Sequence, residues 1–281
     1  MREIGLEKMK ILVTLFIIIG SSFSMIAQEV NPNQNKQGDF FVYWGWNRSA
    51  YTNSDIRFYG DNYDFTIDNA VARDRQTPFS AYDYFNPTRI TIPQFNARVG
   101  YFVTDRYSIS IGSDHMKYVV DSNQVVNMNG YIERTATDYD GVYSDTSVVL
   151  ATDLVRLEHT DGLNYINVEF RRVDDLKFYN KVSLHLIEGL GAGIMIPKTN
   201  ATLLNNERHD DFHVSGYGLN AMLGLQVNIG KHFFILSEFK GGFINLPNIR
   251  TTVNTADRGS QHFFFVQSNI VFGFRMNLIN R

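Results

Sequence analysis

Between Gly216 and Ile229 the side chains alternate between two chemistries without a break. Tyr217, Leu219, Ala221, Leu223, Leu225, Val227 and Ile229 fall on one parity, and Gly216, Gly218, Asn220, Met222, Gly224, Gln226 and Asn228 on the other. A strand turns successive side chains to opposite sides, so the segment is a ribbon with one apolar and one polar face. Similar segments recur along the chain, joined in turn by short turns and long polar loops. In an exported chain this pattern specifies a barrel closed in lipid, apolar outside and polar within.

Export is written at the start. Arg2, Lys8 and Lys10 precede the apolar run Ile11–Ile19, and Ala27 precedes a cut expected at Gln28. The run is too short to span a bilayer as a helix and reads as a secretory signal over residues 1–27. Met9 serves equally well as its start. No cysteine follows the run, which excludes lipid attachment, and the chain has no cysteine at all, hence no disulfide framework. After the signal, 23 basic and 27 acidic residues remain, with no basic tract for nucleic acid. No later apolar run is long enough for a membrane helix, whereas 22 Phe and 15 Tyr suit a barrel. A soluble β-sandwich is the rival architecture.

Residues 28–38 are polar and read as a disordered lead-in, leaving 39–281 for the barrel. Eight strands are expected: Asp39–Arg48, Arg89–Val103, Tyr107–Val120, Gly162–Val173, Lys177–Pro197, Gly216–Ile229, Phe233–Leu246 and Gln261–Leu278. Pro93 marks a slip in the second, as at a bulge or edge. A short alternation around Ile56–Ile67 predicts an extra hairpin above the membrane. Tight turns are placed at 104–106, 174–176 and 230–232, and long loops at 49–88, 121–161, 198–212 and 247–260. Outer-membrane barrels keep short turns in the periplasm and long loops outside, so both termini fall on the periplasmic side.

This layout resembles the small outer-membrane barrels typified by the OmpA membrane domain, OmpX and OmpW, over essentially the whole mature chain. The strings Asp114-His115-Met116-Lys117-Tyr118 and Glu158-His159-Thr160-Asp161-Gly162-Leu163-Asn164-Tyr165 resemble those of Bacteroidetes outer-membrane barrels. Gly273, Met276 and Leu278 resemble a barrel-assembly signal, although the terminal aromatic is missing and Val271 stands where a polar residue is usual. The resemblance implies the assembly machinery, outer-membrane lipids and lipopolysaccharide as partners, and no defined chemistry.

Three groups of residues are candidates for function. The inward parity collects Arg98, Asp114, Glu169, Arg171, Lys181, His185, Glu238, Lys240 and Arg275, either a plug of ion pairs or a narrow polar pathway. Near the outer ends of strands lie His115, Lys117, His159, Asp161, Glu188 and His213, with His209, Asp210 and Asp211 close by in sequence. These read either as a rim that binds cations or moves protons, or as a solvated edge. Lys117 is expected near Asp161, and Glu188 falls on the apolar face of its strand unless a bulge intervenes. Finally, His213-Val214-Ser215 with Glu238 resembles the His-x-Ser pair and downstream Glu of the lipid A deacylase barrels, which implies a nucleophile, base and acid. Trp44, Trp46, Tyr101, Tyr107 and Phe274 read as lipid-facing or interface residues. No metal spacing, phosphate loop or nucleotide fingerprint appears, so neither a metal nor a cofactor is expected. The sequence thus predicts an eight-stranded antiparallel transmembrane barrel of the cell outer membrane. Its expected role is structural or surface-interacting through loops 49–88 and 121–161. A lipid-modifying hydrolase and a narrow solute channel are the alternatives.

Overall fold

The computed structural model describes residues 36–89, 92–206 and 209–277. The expected signal segment 1–27, residues 28–35 and Leu278 lie outside them. In chain order the strands are β1 (Asp39–Tyr51), β2 (Ser54–Gly60), β3 (Tyr63–Ala70), β4 (Ala72–Arg73), β5 (Phe95–Phe102), β6 (Tyr107–Val120), β7 (Val125–Ile132) and β8 (Gly141–Val149). They continue with β9 (Val155–Tyr179), β10 (Val182–Met195), β11 (Lys198–Leu203), β12 (His209–Phe212), β13 (Gly216–Ile229), β14 (Phe233–Arg250) and β15 (Arg258–Asn277). One short helix, α1 (Ala81–Phe85), lies between β4 and β5.

Eight of these strands form a closed antiparallel wall in the order β1-β5-β6-β9-β10-β13-β14-β15, and β15 returns to β1. The closing ladder runs from Asp39 opposite Asn277 to Tyr51 opposite Phe265 with no register shift. Closure gives every wall strand two partners, which is what hydrocarbon demands of a backbone that water cannot reach. The outward parity carries Val42, Val99, Ile109, Ile111, Val168, Phe170, Leu219, Leu225, Ile270 and Phe272, all exposed. The inward parity is buried and polar through the middle of the wall. The fold is therefore the eight-stranded transmembrane barrel that the alternation specifies.

Several boundaries differ from the sequence reading. Phe95, not Arg89, begins the second wall strand, because Pro87–Arg89 winds as a single 3-10 turn. The fourth wall strand runs through the turn expected at 174–176 and reaches Tyr179, so the reversal comes at Asn180-Lys181. Asp174 and Asp175 stay in the ladder because a bulge between Leu184 and His185 absorbs the extra residue. The hairpin of β9 and β10 consequently extends beyond the neighbouring β5–β6 turn, where Tyr107 already pairs with Arg172. Lys181 occupies the reversal itself and is exposed, which removes it from the lumen where the parity count had placed it.

The long loops are also more ordered than their polarity implies. The hairpin expected around Ile56–Ile67 is present as β2 and β3, and β7 and β8 extend it into a sheet hydrogen-bonded to the outer end of β15. On the other side, β11 pairs with the outer end of β9. Together they enclose an apolar core of Ile56, Phe58, Phe65, Ile67, Tyr118, Met128, Leu157, Leu246 and Phe263, among others. A second, smaller apolar cluster, including Phe41, Phe102, Val173, Ile187, Phe234 and Leu236, forms a layer inside the short-turn half of the barrel. Loops that read as adaptable polar surface are thus largely paired strands over a packed core.

At Gly45 the seam leaves no room for a side chain: a Cβ would lie 2.1 Å from the Ile270 carbonyl oxygen and 2.4 Å from Val271 Cα. Gly45→Val is expected to block closure and abolish the gel-mobility difference between unheated and boiled samples. Gly241→Ala, whose new methyl would meet only Phe265 O at 3.9 Å, should retain that difference.

Candidate functional site

Six charged side chains from four wall strands meet at mid-lumen, each nearly or fully buried: Arg98, Asp114, Glu169, Arg171, Glu238 and Lys240. Lys240 Nζ lies 2.6 Å from Asp114 Oδ2, 2.8 Å from Glu169 Oε1 and 3.7 Å from Glu238 Oε1. Arg98 reaches Glu169 at 3.0 Å and Asp114 at 3.8 Å, while Arg171 reaches Glu169 at 2.5 Å and Glu238 at 3.1 Å. Three cations thus face three anions with no net charge. Asp114 and Glu169 each accept from at least two neighbours, as burial of charge requires, whereas Glu238 accepts only from Asn269 and is otherwise balanced by its ion pairs.

Neutral groups complete this layer. The Tyr43 hydroxyl accepts from Arg98 at 3.0 Å and from Arg171 at 2.7 Å, and the Arg171 guanidinium also sits over the Tyr43 ring. Asn96 donates to Asp114 and Gln267, Asn220 to Glu169, and Asn269 to Glu238. The space comes from β10, which turns glycines inward: at Gly191 a Cβ would meet Asn220 Oδ1 and Glu169 Cγ, each at 2.6 Å. Alternation had already put the charged residues on the inward face. Which of them pair depends on register between strands far apart in sequence, and alternation does not encode that.

At the short-turn mouth is an array that sequence reasoning missed. His185 Nδ1 lies 2.7 Å from Asp175 Oδ1, and His185 Nε2 lies 2.7 Å from both Ser183 Oγ and Asn228 Nδ2. Gln226 donates to Asn228 Oδ1, which turns the Asn228 amide nitrogen toward the ring. His185 Nε2 is therefore the acceptor, and Nδ1 carries the proton toward Asp175. This is the connectivity of a nucleophile, base and acid, but it is closed. Lys36 Nζ contacts the same Asp175 oxygen at 2.5 Å, and its backbone N–H donates to Asp105 in the adjoining turn. The nearby small cavity, walled by Phe41, Phe102, Phe234, Gln226 and Arg275, does not extend to Ser183 or His185. Arg275 pairs instead with Asp39 at 3.3 Å. Lys36, expected in a disordered lead-in, is a buried stopper. Asp175 was hidden because its string reads as a turn.

The expected rim does not converge. His115 and Lys117 face outward: His115 stacks on Phe95 and bonds Asn164, and Lys117 donates to Thr77 and to Ile92 O. Lys117 is not paired with Asp161, which meets Lys198 at 3.3 Å, because the chain bulges between Met116 and Tyr118 and realigns the two strands. His159 turns inward beneath Tyr118 and bonds Thr199. His209 lies 3.9 Å from Asp211 on β12. Glu188 belongs to the opposite half of the barrel. No bulge alters its parity, so it faces outward and is balanced by Arg172 at 3.5 Å, which also holds Asp174. No cluster of three metal-ligating side chains occurs among the described residues.

The hydrolase constellation is likewise dispersed. His213 Nε2 bonds Asn248, and the Ser215 hydroxyl donates to the His213 carbonyl rather than to its ring. Burial and the nearby Arg250 and Arg258 pull the His213 pKa down. Glu238 pairs in register with Gly224, eight residues along β13 from its start at Gly216, and is committed to the mid-lumen layer. The residues share a sequence spacing but no site.

No protein-family model and no curated protein matches the chain. Among solved structures, OprG of Pseudomonas aeruginosa is 10% identical, covering 86% of this chain and 97% of its own, with a TM-score of 0.38. Ail, the attachment invasion locus protein of Yersinia pestis, is 12% identical over 85% of this chain and 99% of its own, with a TM-score of 0.34. The Neisserial surface protein NspA is 10% identical over 86% of this chain and 100% of its own, with a TM-score of 0.31. The assignment of architecture rests on the chain's own closed ladder.

Two measurements probe these arrangements. Lys240→Met leaves three carboxylates facing two cations and is expected to cost about 3–5 kcal/mol in detergent unfolding. Adding Asp114→Asn should recover part of that loss. His159 lies beyond Gly162, outside the apolar band, and burial lowers its pKa from 6.5 to about 3. The neutral ring's contribution to stability is therefore complete above pH 6.5 and is lost as pH falls toward 3. Melting curves from pH 7 to 4 should show this loss, and His159→Phe should reduce it.

Proposed function

We propose that the chain is an integral outer-membrane barrel whose work is structural and surface-directed. The neutral three-by-three ion layer supports this reading above all: it fills the lumen with charges already paired, beneath an apolar cap. A barrel of eight strands has just enough interior to be filled by side chains, and here they fill it. The outer face of β7 and β8 presents Val125, Tyr131, Val142 and Val149, all exposed, within the 121–161 loop. Together with the β2–β3 part of loop 49–88 it is the surface offered to a ligand. Lipids and lipopolysaccharide around the wall, and the assembly machinery during biogenesis, are the partners that this reading implies.

The dispersal of His213, Ser215 and Glu238 weighs against a deacylase, and the paired lumen weighs against a channel. Reconstituted in planar bilayers, the protein should show no discrete conductance steps, while a large-pore porin inserted in parallel should conduct. Reproducible ion-selective steps that disappear on further narrowing the lumen, as in Gly191→Leu, would replace the structural reading with a transport one.

A further inference from the structure

The wall's two tryptophans stand side by side on the outward face of β1, with ring centroids 5.1 Å apart, next to the closing seam. Trp46 pairs with Ile270 across the seam and contacts the Phe272 ring at 5.9 Å. The next outward residue along β1 is Arg48, which is exposed. Along β1, Trp46 is thus the last outward aromatic residue before a charged one, while Val266 and Phe264 carry the apolar face of β15 further; such a position suits an aromatic girdle.

Residues 74–89 fold against this level rather than over the lumen. The rings of Tyr84 and Phe85 each lie 5.5 Å from that of Trp46, and Phe79 packs on Tyr84 at 5.1 Å. The segment is held in place. Asp74 accepts from the Ser49 backbone at 2.8 Å, and Lys117 donates to Thr77. Its polar groups are spent internally: Ser80 caps α1, Asp83 meets Arg89 at 2.8 Å, the Tyr84 hydroxyl donates to Thr77 O, and Arg89 lies over the Tyr82 ring. The exposed large apolar side chains that remain are aromatic. Phe79 is 72% exposed, and Tyr82 and Phe85 are each 65% exposed. A contiguous aromatic face in water is a liability unless something covers it.

We propose that residues 74–89 form a flap whose Phe79, Tyr82 and Phe85 side chains are embedded in the headgroup–acyl boundary of the outer leaflet, alongside the β1–β15 seam. Lipid is the occupant because the face is continuous with the lipid-facing band of Trp44, Trp46 and Phe272. A second copy of the chain would need a polar rim to register against, and most of the flap's polar side chains, including Asp74, Arg75, Asp83, Tyr84 and Arg89, are already engaged. The inference rests on the membrane placement proposed above.

The absence of native cysteine allows single nitroxide labels at Tyr82→Cys and Phe85→Cys, with Val99→Cys as the wall reference and Val142→Cys, 86% exposed on the cap, as the water reference. In phosphatidylcholine bilayers, the ratio of oxygen to aqueous nickel-chelate collisions at positions 82 and 85 should lie within about twofold of position 99 and several-fold above position 142. Gel mobility confirms folding of each variant, and Phe79→Cys replaces either position if one fails. Flap labels that match position 142 while position 99 reads lipid overturn the flap alone. A water-like signal at position 99 as well overturns the membrane reading. Spin–spin broadening between copies at positions 82 or 85 overturns lipid as the occupant.

Discussion

A backbone in hydrocarbon has no water to satisfy its amides, so the whole structure depends on the ladder that joins its first and last wall strands. In β1 and β15 that ladder is continuous over the full length of β1, and Gly45 sits where any side chain would collide with the β15 backbone. Once the ring shuts, strand number fixes a narrow interior. Everything inside then follows from fitting eight inward faces into one small space. Large charged side chains from β5, β6, β9 and β14 are accommodated because β10 contributes glycines opposite them.

That confinement also explains how the interior charges are arranged. Buried charge survives only when paired, and cations from β5, β9 and β14 supply partners to the three carboxylates. The same logic holds at the short-turn mouth, where Ser183, His185 and Asp175 have the connectivity of a catalytic relay while Lys36 and Asn228 complete their hydrogen bonds. Connectivity of this kind arises readily wherever an inward-facing polar layer must satisfy itself, and access distinguishes a reactive serine from a structural one.

Much of this was legible from residue order. Period-two alternation placed Arg98, Asp114, Glu169, Arg171, His185, Glu238, Lys240 and Arg275 on the inward face, and the lengths of the connections fixed the up-and-down topology. Alternation fails where parity is reset. The bulges at Met116/Tyr118 and Leu184/His185 realigned strands, separated Lys117 from Asp161 and carried Lys181 out to a turn. Composition misled in the loops. In the 121–161 loop, rich in Tyr, Asp and Asn, alternate apolar positions such as Val126, Met128 and Ile132 become visible as a strand only once a partner is known. The rim failed for a related reason. Residues near one another in sequence at strand ends were assumed to share a face, whereas His115 and His159 point to opposite sides of the wall.

The cap's core has a further consequence for the order in which the molecule is made. Its side chains come from β2 and β3 near the start, from β6, β7 and β9 in the middle, and from β14 and β15 at the end. No contiguous stretch of chain contains enough of them to collapse by itself. Until the ring closes, Ile56, Phe58, Phe65 and Ile67 of the early hairpin therefore lack most of the side chains that bury them. The cap's core is complete only when β14 and β15 contribute Ile244, Leu246, Ile249, Phe263 and Phe265, so the earliest loop depends on the latest strands.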